Sequence, residues 1–222
     1  DDSLKTFQKE HNLTIFHLMG QHVNYKLRYR KEQAKFWASS YEEKRPELTT
    51  AQRKMLSHYD NATLYNDSIV AQIVKRFQKE DAVVIYVPDH GEECYEEDRG
   101  FICRNHAANI DWPLAHYEFE IPFWIYCSPK YIKTHRDIYR QIRAAKDKRF
   151  MTDALPHLLL YLAGIETPTY KEEYNILSPK YNEMRPRILK NSADYDQLRD
   201  EHLKKVEKEK SKKEKSKKGD KK

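Results

Sequence analysis

The chemistry-bearing residues of this chain gather where hydrophobic runs stop. "VVIYVP" is followed at once by Asp89-His90-Gly91-Glu92-Glu93. Carboxylate oxygen and imidazole nitrogen are competent zinc donors, and a catalytic zinc uses such donors while keeping one position open. Gly91, directly after them, allows the tight backbone turn that wrapping an ion requires. Two further histidines stand in comparable places: His22 just past Gly20 in "HLMGQHVNY", and His106 in "CRNHAAN", sixteen residues beyond His90. Each has a plainer reading. Asp89 and His90 suit any polar strand-ending turn, and His22 suits any loop. His17 reads as a hydrogen-bonded core histidine, Glu92 and Glu93 as solvated or as supports behind a ligand, and His116, His135 and His157 as packing residues.

The elements that must position these side chains alternate along the chain. Residues 13–19, "LTIFHLM", read as a short buried strand ending at Gly20. Residues 51–79 read as a long helix, with Met55, Tyr59, Thr63, Ile69, Ile73 and Phe77 recurring mostly near a helical period. A strand over 81–88 follows, then another over 121–127. A helix over 150–164 has Thr152 as its expected N-cap and Gly164 as its stop. This order predicts an α/β layered sheet. Such sheets collect ligands beyond the carboxyl ends of their strands, where Asp89, His90 and His22 fall.

Composition excludes other classes. The longest apolar run, "LPHLLLYLAGI", falls short of the roughly 20 residues that span a bilayer, and "DDSLKTFQKEHN" carries no apolar core of a signal peptide. The net charge of +6 sits wholly in residues 201–222, which hold eleven lysines against five acidic residues; residues 1–200 balance at 30 of each sign. A neutral body offers no basic stripe for nucleic acid. The Lys-rich run 191–222 reads as a disordered, solvated tail, with weak attraction to anionic lipid heads as its functional alternative. Cys94, Cys103 and Cys127 match no zinc-finger spacing. Cys127 reads as a buried strand residue; for Cys94 and Cys103, a disulfide and two free thiols are both open.

"VVIYVPDHGEE" resembles the Asp-His-Gly-Glu signature of the alkaline phosphatase and sulfatase superfamily. Within it, four more segments, in order, are similar to the bacterial phosphoethanolamine transferases that modify lipid A or the lipopolysaccharide core: "IFHLMGQHVNYKLRY", "HYDNATLYNDSIVAQIV", "YEFEIPFWIYCSPKY" and "FMTDALPHLLLYLAGIETPTY". The resemblance runs from about residue 10 to residue 187 and implies an α/β/α sandwich, incomplete at its N-terminus, with residues 1–190 as the C-terminal part of the catalytic domain. It implies zinc as cofactor, Asp89 and His90 as metal ligands, and His22 and His106 as residues of the substrate or of a second metal. The donor would be phosphatidylethanolamine and the acceptor a glycolipid, with a phosphoenzyme on a threonine that lies upstream, outside this chain. The same upstream region would bring a further zinc ligand and the membrane anchor, with the catalytic domain on the periplasmic face of the bacterial inner membrane. The chain as it stands would then be inactive. In a periplasmic setting a Cys94–Cys103 bond would persist. Pro88 departs from the Ser or Thr usual before the Asp-His pair.

Two other readings compete. A sulfatase or phosphodiesterase of the same superfamily would share the metal motif. A non-catalytic relative would keep the fold and lose the zinc.

Overall fold

The structure is a computed structural model that describes residues 12–105 and 109–219. It divides into two compact units, Asp1–Val84 with Tyr126–Glu183, and Ile85–Ile125 with Met184–Lys222.

In the first unit the dominant element is helix α1, Thr50–Phe77. A capping box starts it: Gln52 N–H donates to Thr49 Oγ1 at 3.2 Å, and Thr49 N–H donates back to Gln52 Oε1 at 2.9 Å, which satisfies two otherwise orphaned donors. The helix matches the expected one, but its buried positions are Leu56, Ser57, Asn61, Ala62 and Asn66, while Met55 is exposed. That face is half polar because it brackets a loop. Asn61 Oδ1 accepts from the Lys35 and Phe36 amides at 2.6 and 3.1 Å, and its Nδ2 donates to Phe36 O and Ser57 O, both at 2.8 Å. Tyr41 donates to Asp60, the Tyr29 hydroxyl pairs with His58 Nδ1 at 2.8 Å, and buried Tyr25 meets Tyr59 edge-on. Hydrophobic period detects none of this, since the groups involved are polar.

Strand β1, Val83–Tyr86, follows, and it pairs with β4, Trp124–Cys127, in a two-stranded sheet. Ser128 ties their ends: its amide donates to Ala82 O at 3.0 Å and its hydroxyl to Glu80 O at 2.6 Å. The same hydroxyl accepts from Tyr131 N–H and so caps helix α3, Pro129–Thr134. Helix α4, Arg136–Ala144, comes next. The expected helix over 150–164 is a 3-10 turn, Thr152–Ala154, running into α5, Leu155–Leu162. Thr152 does not cap it; Met151 and Ala154 stand at the two starts without a side-chain cap. Gly164 ends it at φ +64°, a conformation that favours glycine.

Residues 13–19 correct the sequence reading. They form neither strand nor helix, His17 is exposed, and Leu13, Ile15 and Met19 are 72, 79 and 56 % exposed. A strand exists only by pairing, and among the described residues no neighbour pairs with this one.

The second unit carries the rest. Two short strands, β2 at Glu93–Cys94 and β3 at Ile102–Cys103, pair antiparallel. Helix α2, Trp112–Leu114, widens into a π turn at Ala115–Phe119. Strands β5, Ile188–Leu189, and β6, Ala193–Asp194, make a hairpin whose turn residues Lys190 and Asn191 both have positive φ, as a type I′ connection requires. Ala115, Leu189 and Tyr195 form the buried centre here, packed by Ile110, Trp112, Phe119 and Leu198.

Within the run 191–222, Tyr195–Gly219 is one helix, α6. Asp194 Oδ1 caps its start by accepting from the Asp196 and Gln197 amides at 2.9 and 3.2 Å. Tyr195, Leu198 and His202 then dock its first turns, with His202 stacked on Trp112 at 5.4 Å. Composition alone cannot see those anchors. The lysines and glutamates that follow are good helix formers that extend a helix once it is nucleated.

Candidate functional site

The end of β1 delivers Asp89 and His90 side by side. Asp89 Oδ2 lies 3.6 Å from His90 Nε2, and the Asp89 side chain is 89 % exposed against 20 % for His90. His90 Nδ1 is 2.7 Å from Gly91 O. A carbonyl only accepts, so Nδ1 carries a proton, and in the neutral imidazole Nε2 offers its lone pair on the side of Asp89. This is how a second hydrogen bond orients a histidine for a metal. Two donors about 2.0–2.1 Å from one tetrahedral zinc would stand about 3.3 Å apart, so the observed pair suits a single ion. Among the described residues no group of three or more metal-capable side chains assembles; the pair supplies two donors and no more.

Gly91 is required by close approach. Its amide donates to Glu118 O at 2.9 Å, and a Cβ there would lie 2.3 Å from Tyr117 O. The strand-end turn is therefore seated directly on the π turn of 115–119. Glu118 is 2 % exposed, and its Oε1 accepts from Asn105 N–H at 2.6 Å. One residue thus holds Gly91 through its carbonyl and Asn105 through its carboxylate. His106, next in the chain, lies outside the described residues.

Behind the turn, Glu93 is fully buried and held by Arg99 in a fork, Nε to Oε2 at 2.7 Å and Nη2 to Oε1 at 3.1 Å. Arg99 Nη1 also donates to Asp111 Oδ2 at 3.1 Å, and Asp111 Oδ1 caps α2 through Leu114 N–H. The Glu93 hydrogen bond is the largest influence on Arg99 and holds its guanidinium more firmly protonated than usual; burial opposes it and Asp111 adds to it. Glu93 is thus a buried carboxylate paired with Arg99, not a solvated one. Arg99, Asp111 and Glu118 were invisible to sequence reasoning, because their partners are distant in the chain and follow no motif.

His22 belongs to the first unit. It is exposed, with Nδ1 2.9 Å from Val23 O, so that Nε2 is again the acceptor. Arg28 fixes the turn by donating to His22 O at 2.9 Å and Val23 O at 3.1 Å. His116 stacks on Trp112 and pairs with Glu120, and His157 accepts from Lys171 N–H. His135, tilted against Tyr131, is exposed and also lies 3.6 Å from Asp81 Oδ1.

The Cys94–Cys103 bond is not formed, and none of the three cysteines is in a disulfide among the described residues. The register explains why. Cys94 faces Ile102 and Cys103 faces Glu93, and since neighbouring strand residues point to opposite faces, the two thiols lie on opposite sides of the ribbon. Cys127 is buried as expected, and burial pushes its thiol up.

A family model described as Sulfatase matches residues 2–165, and the chain belongs to that family. It is homologous to phosphoethanolamine transferases. Over 174 residues it is 33 % identical to phosphoethanolamine transferase EptC of Escherichia coli O18:K1:H7, covering 77 % of this chain and 29 % of the relative. It is 28 % identical to the Kdo(2)-lipid A phosphoethanolamine 7''-transferase of E. coli K12, covering 62 % and 23 %. The crystal structure of the C-terminal periplasmic domain of E. coli EptC in complex with Zn superposes with a TM-score of 0.64 at 29 % identity, covering 81 % of this chain and half of that one. The chain thus spans less than a third of the curated relatives it matches. No helix among the described residues is long and apolar enough to cross a membrane.

Proposed function

We propose that residues 1–190 are the C-terminal part of a sulfatase-like catalytic domain whose whole protein moves phosphoethanolamine from phosphatidylethanolamine to a lipid A or lipopolysaccharide-core acceptor. The reading places that domain on the periplasmic side of a bacterial inner membrane, periplasmic being the setting named for the solved relatives. The observation that carries it is the Asp89–His90 pair: two donors 3.6 Å apart, with the imidazole proton assigned to the far nitrogen. Relatives named as transferases, one of them solved with Zn, support the choice of reaction and metal.

In this reading Asp89 Oδ2 and His90 Nε2 hold zinc, while Gly91 and Glu118 keep the turn from drifting. Zinc in such a site lowers the pKa of a bound nucleophile and neutralises charge growing on phosphoryl oxygens. His22 and His106 contribute imidazole nitrogens toward the phosphoethanolamine group or a second ion.

Metal content separates this reading from a non-catalytic relative. In the full-length protein, Asp89→Ala and His90→Ala should each lose bound zinc and nearly all transfer to a glycolipid acceptor, because a missing ligand removes both positioning and activation. Zinc stoichiometry by elemental mass spectrometry and transfer with a labelled donor are the readouts. Wild-type values of both in either variant would defeat the proposal.

A further inference from the structure

The balance of charge places one strong field on this molecule, and it is on α6. Residues 1–200 are neutral and the whole +6 lies beyond them. Lys204, Lys205, Lys208, Lys210 and Lys212 are all exposed, and none has an ion pair among the described residues. A disordered lysine run would spread this charge; the helix organises it. At 100° per residue, register positions 204, 205, 208, 212, 215 and 218, all lysines, fall within an arc of about 140°. Tyr195, Leu198 and His202, which anchor the helix on Trp112 and Phe119, centre on the other side. The base of α6 is therefore fixed, and Lys204, Lys205, Lys208 and Lys212 are turned outward.

We propose that α6 is an electrostatic arm that docks on the anionic phospholipid surface of a membrane. From 204 to 218 every charged residue on that arc is a lysine, a flexible point charge suited to a diffuse layer of headgroup phosphates rather than to a shaped pocket. Beyond His202 the helix carries no aromatic side chain, so it lacks the stacking platforms by which single-stranded nucleic acid is held. Leu203 and Val206 are the only apolar residues past the docked turns, too few for insertion of an amphipathic helix; binding is superficial and salt-sensitive. The choice of a lipid surface rests on the membrane-facing setting proposed above.

The test is vesicle co-sedimentation of the purified chain, using phosphatidylcholine alone and phosphatidylcholine mixed with phosphatidylglycerol, at low and high salt. Neither vesicle contains phosphatidylethanolamine or lipid A, so the outcome is independent of the transfer reaction. The chain should bind the anionic vesicles, leave the neutral ones, and be released by salt. A lysine near an anionic surface contributes up to about fivefold in partition. The variant K204Q/K205Q/K208Q/K212Q/K215Q/K218Q, which keeps helix-forming side chains and every anchor, should therefore bind at least about 100-fold more weakly. Equal binding to both vesicles, unchanged binding by the variant, or tighter binding to an oligonucleotide than to the anionic vesicles would overturn the proposal. In a separate arm with phosphatidylethanolamine vesicles, binding tighter than to the anionic vesicles and equal in chain and variant would also overturn the proposal, while leaving the transferase reading standing.

Discussion

Replacing Arg99 by methionine should expose how much the turn behind Asp89 and His90 depends on one buried pair. Glu93 has no solvent exposure, and both its carboxylate oxygens are taken by the Arg99 fork. Arg99→Met keeps much of the aliphatic packing and removes the charge, which leaves a buried carboxylate without a counter-ion. Breaking a buried pair this way costs about 3–5 kcal/mol. Release of Asp111, which is more than half exposed, adds little, as surface pairs do. For a chain of this size the loss corresponds to a fall in Tm of about 6–20 °C. The double variant Glu93→Gln/Arg99→Met removes both charges and should recover about 2 kcal/mol or more of that deficit, because a neutral amide costs less to bury. Chemical and thermal unfolding of wild type, both single variants and the double variant closes the cycle. If Arg99→Met stays within about 0.5 kcal/mol of wild type, or if the double variant is no more stable than the single one, the pair does not brace the turn.

Gly91→Ala forces a Cβ to within 2.3 Å of a backbone oxygen; it should cost about 1–3 kcal/mol or more by displacing the turn from 115–119, read as a lower urea midpoint with an unchanged slope. His58 is held below the ordinary histidine range, by burial first and by Lys54 and Lys26 after it. The unfolded chain then takes up the proton first, so stability present above about pH 6.5 is lost as pH falls through the lower folded value; His58→Gln should flatten that acid-side slope in stability measured against pH. Thiol titration of the denatured, non-reduced chain should count three free thiols, and a count of one would show that the β2–β3 register permits the bond after all.

Local pattern was enough for much of this protein. The period of α1, the β-branched run of β1 and the aromatic-rich run of β4, the stop at Gly164 and the Asp-His-Gly turn after β1 were all legible, because each is written by neighbours within a few residues. So were the ligand candidates, since their residue types and strand-end position are local facts. Tertiary structure decided what depends on a distant partner. Residues 13–19 have a strand's composition and no strand, because a ladder needs a second chain segment to pair with. Cys94 and Cys103 are close in sequence and yet face opposite sides, because pairing register sets direction. Glu93 could be read as solvated until Arg99 folded over it, and Asn61 was an ordinary helix polar residue until the loop at 35–36 closed on it. The lysine run looked like a solvated tail. Anchored by Tyr195, Leu198 and His202 against Trp112 and Phe119, it became a helix with a charged face. Composition records the charge, but only long-range packing nucleates the helix that arranges it.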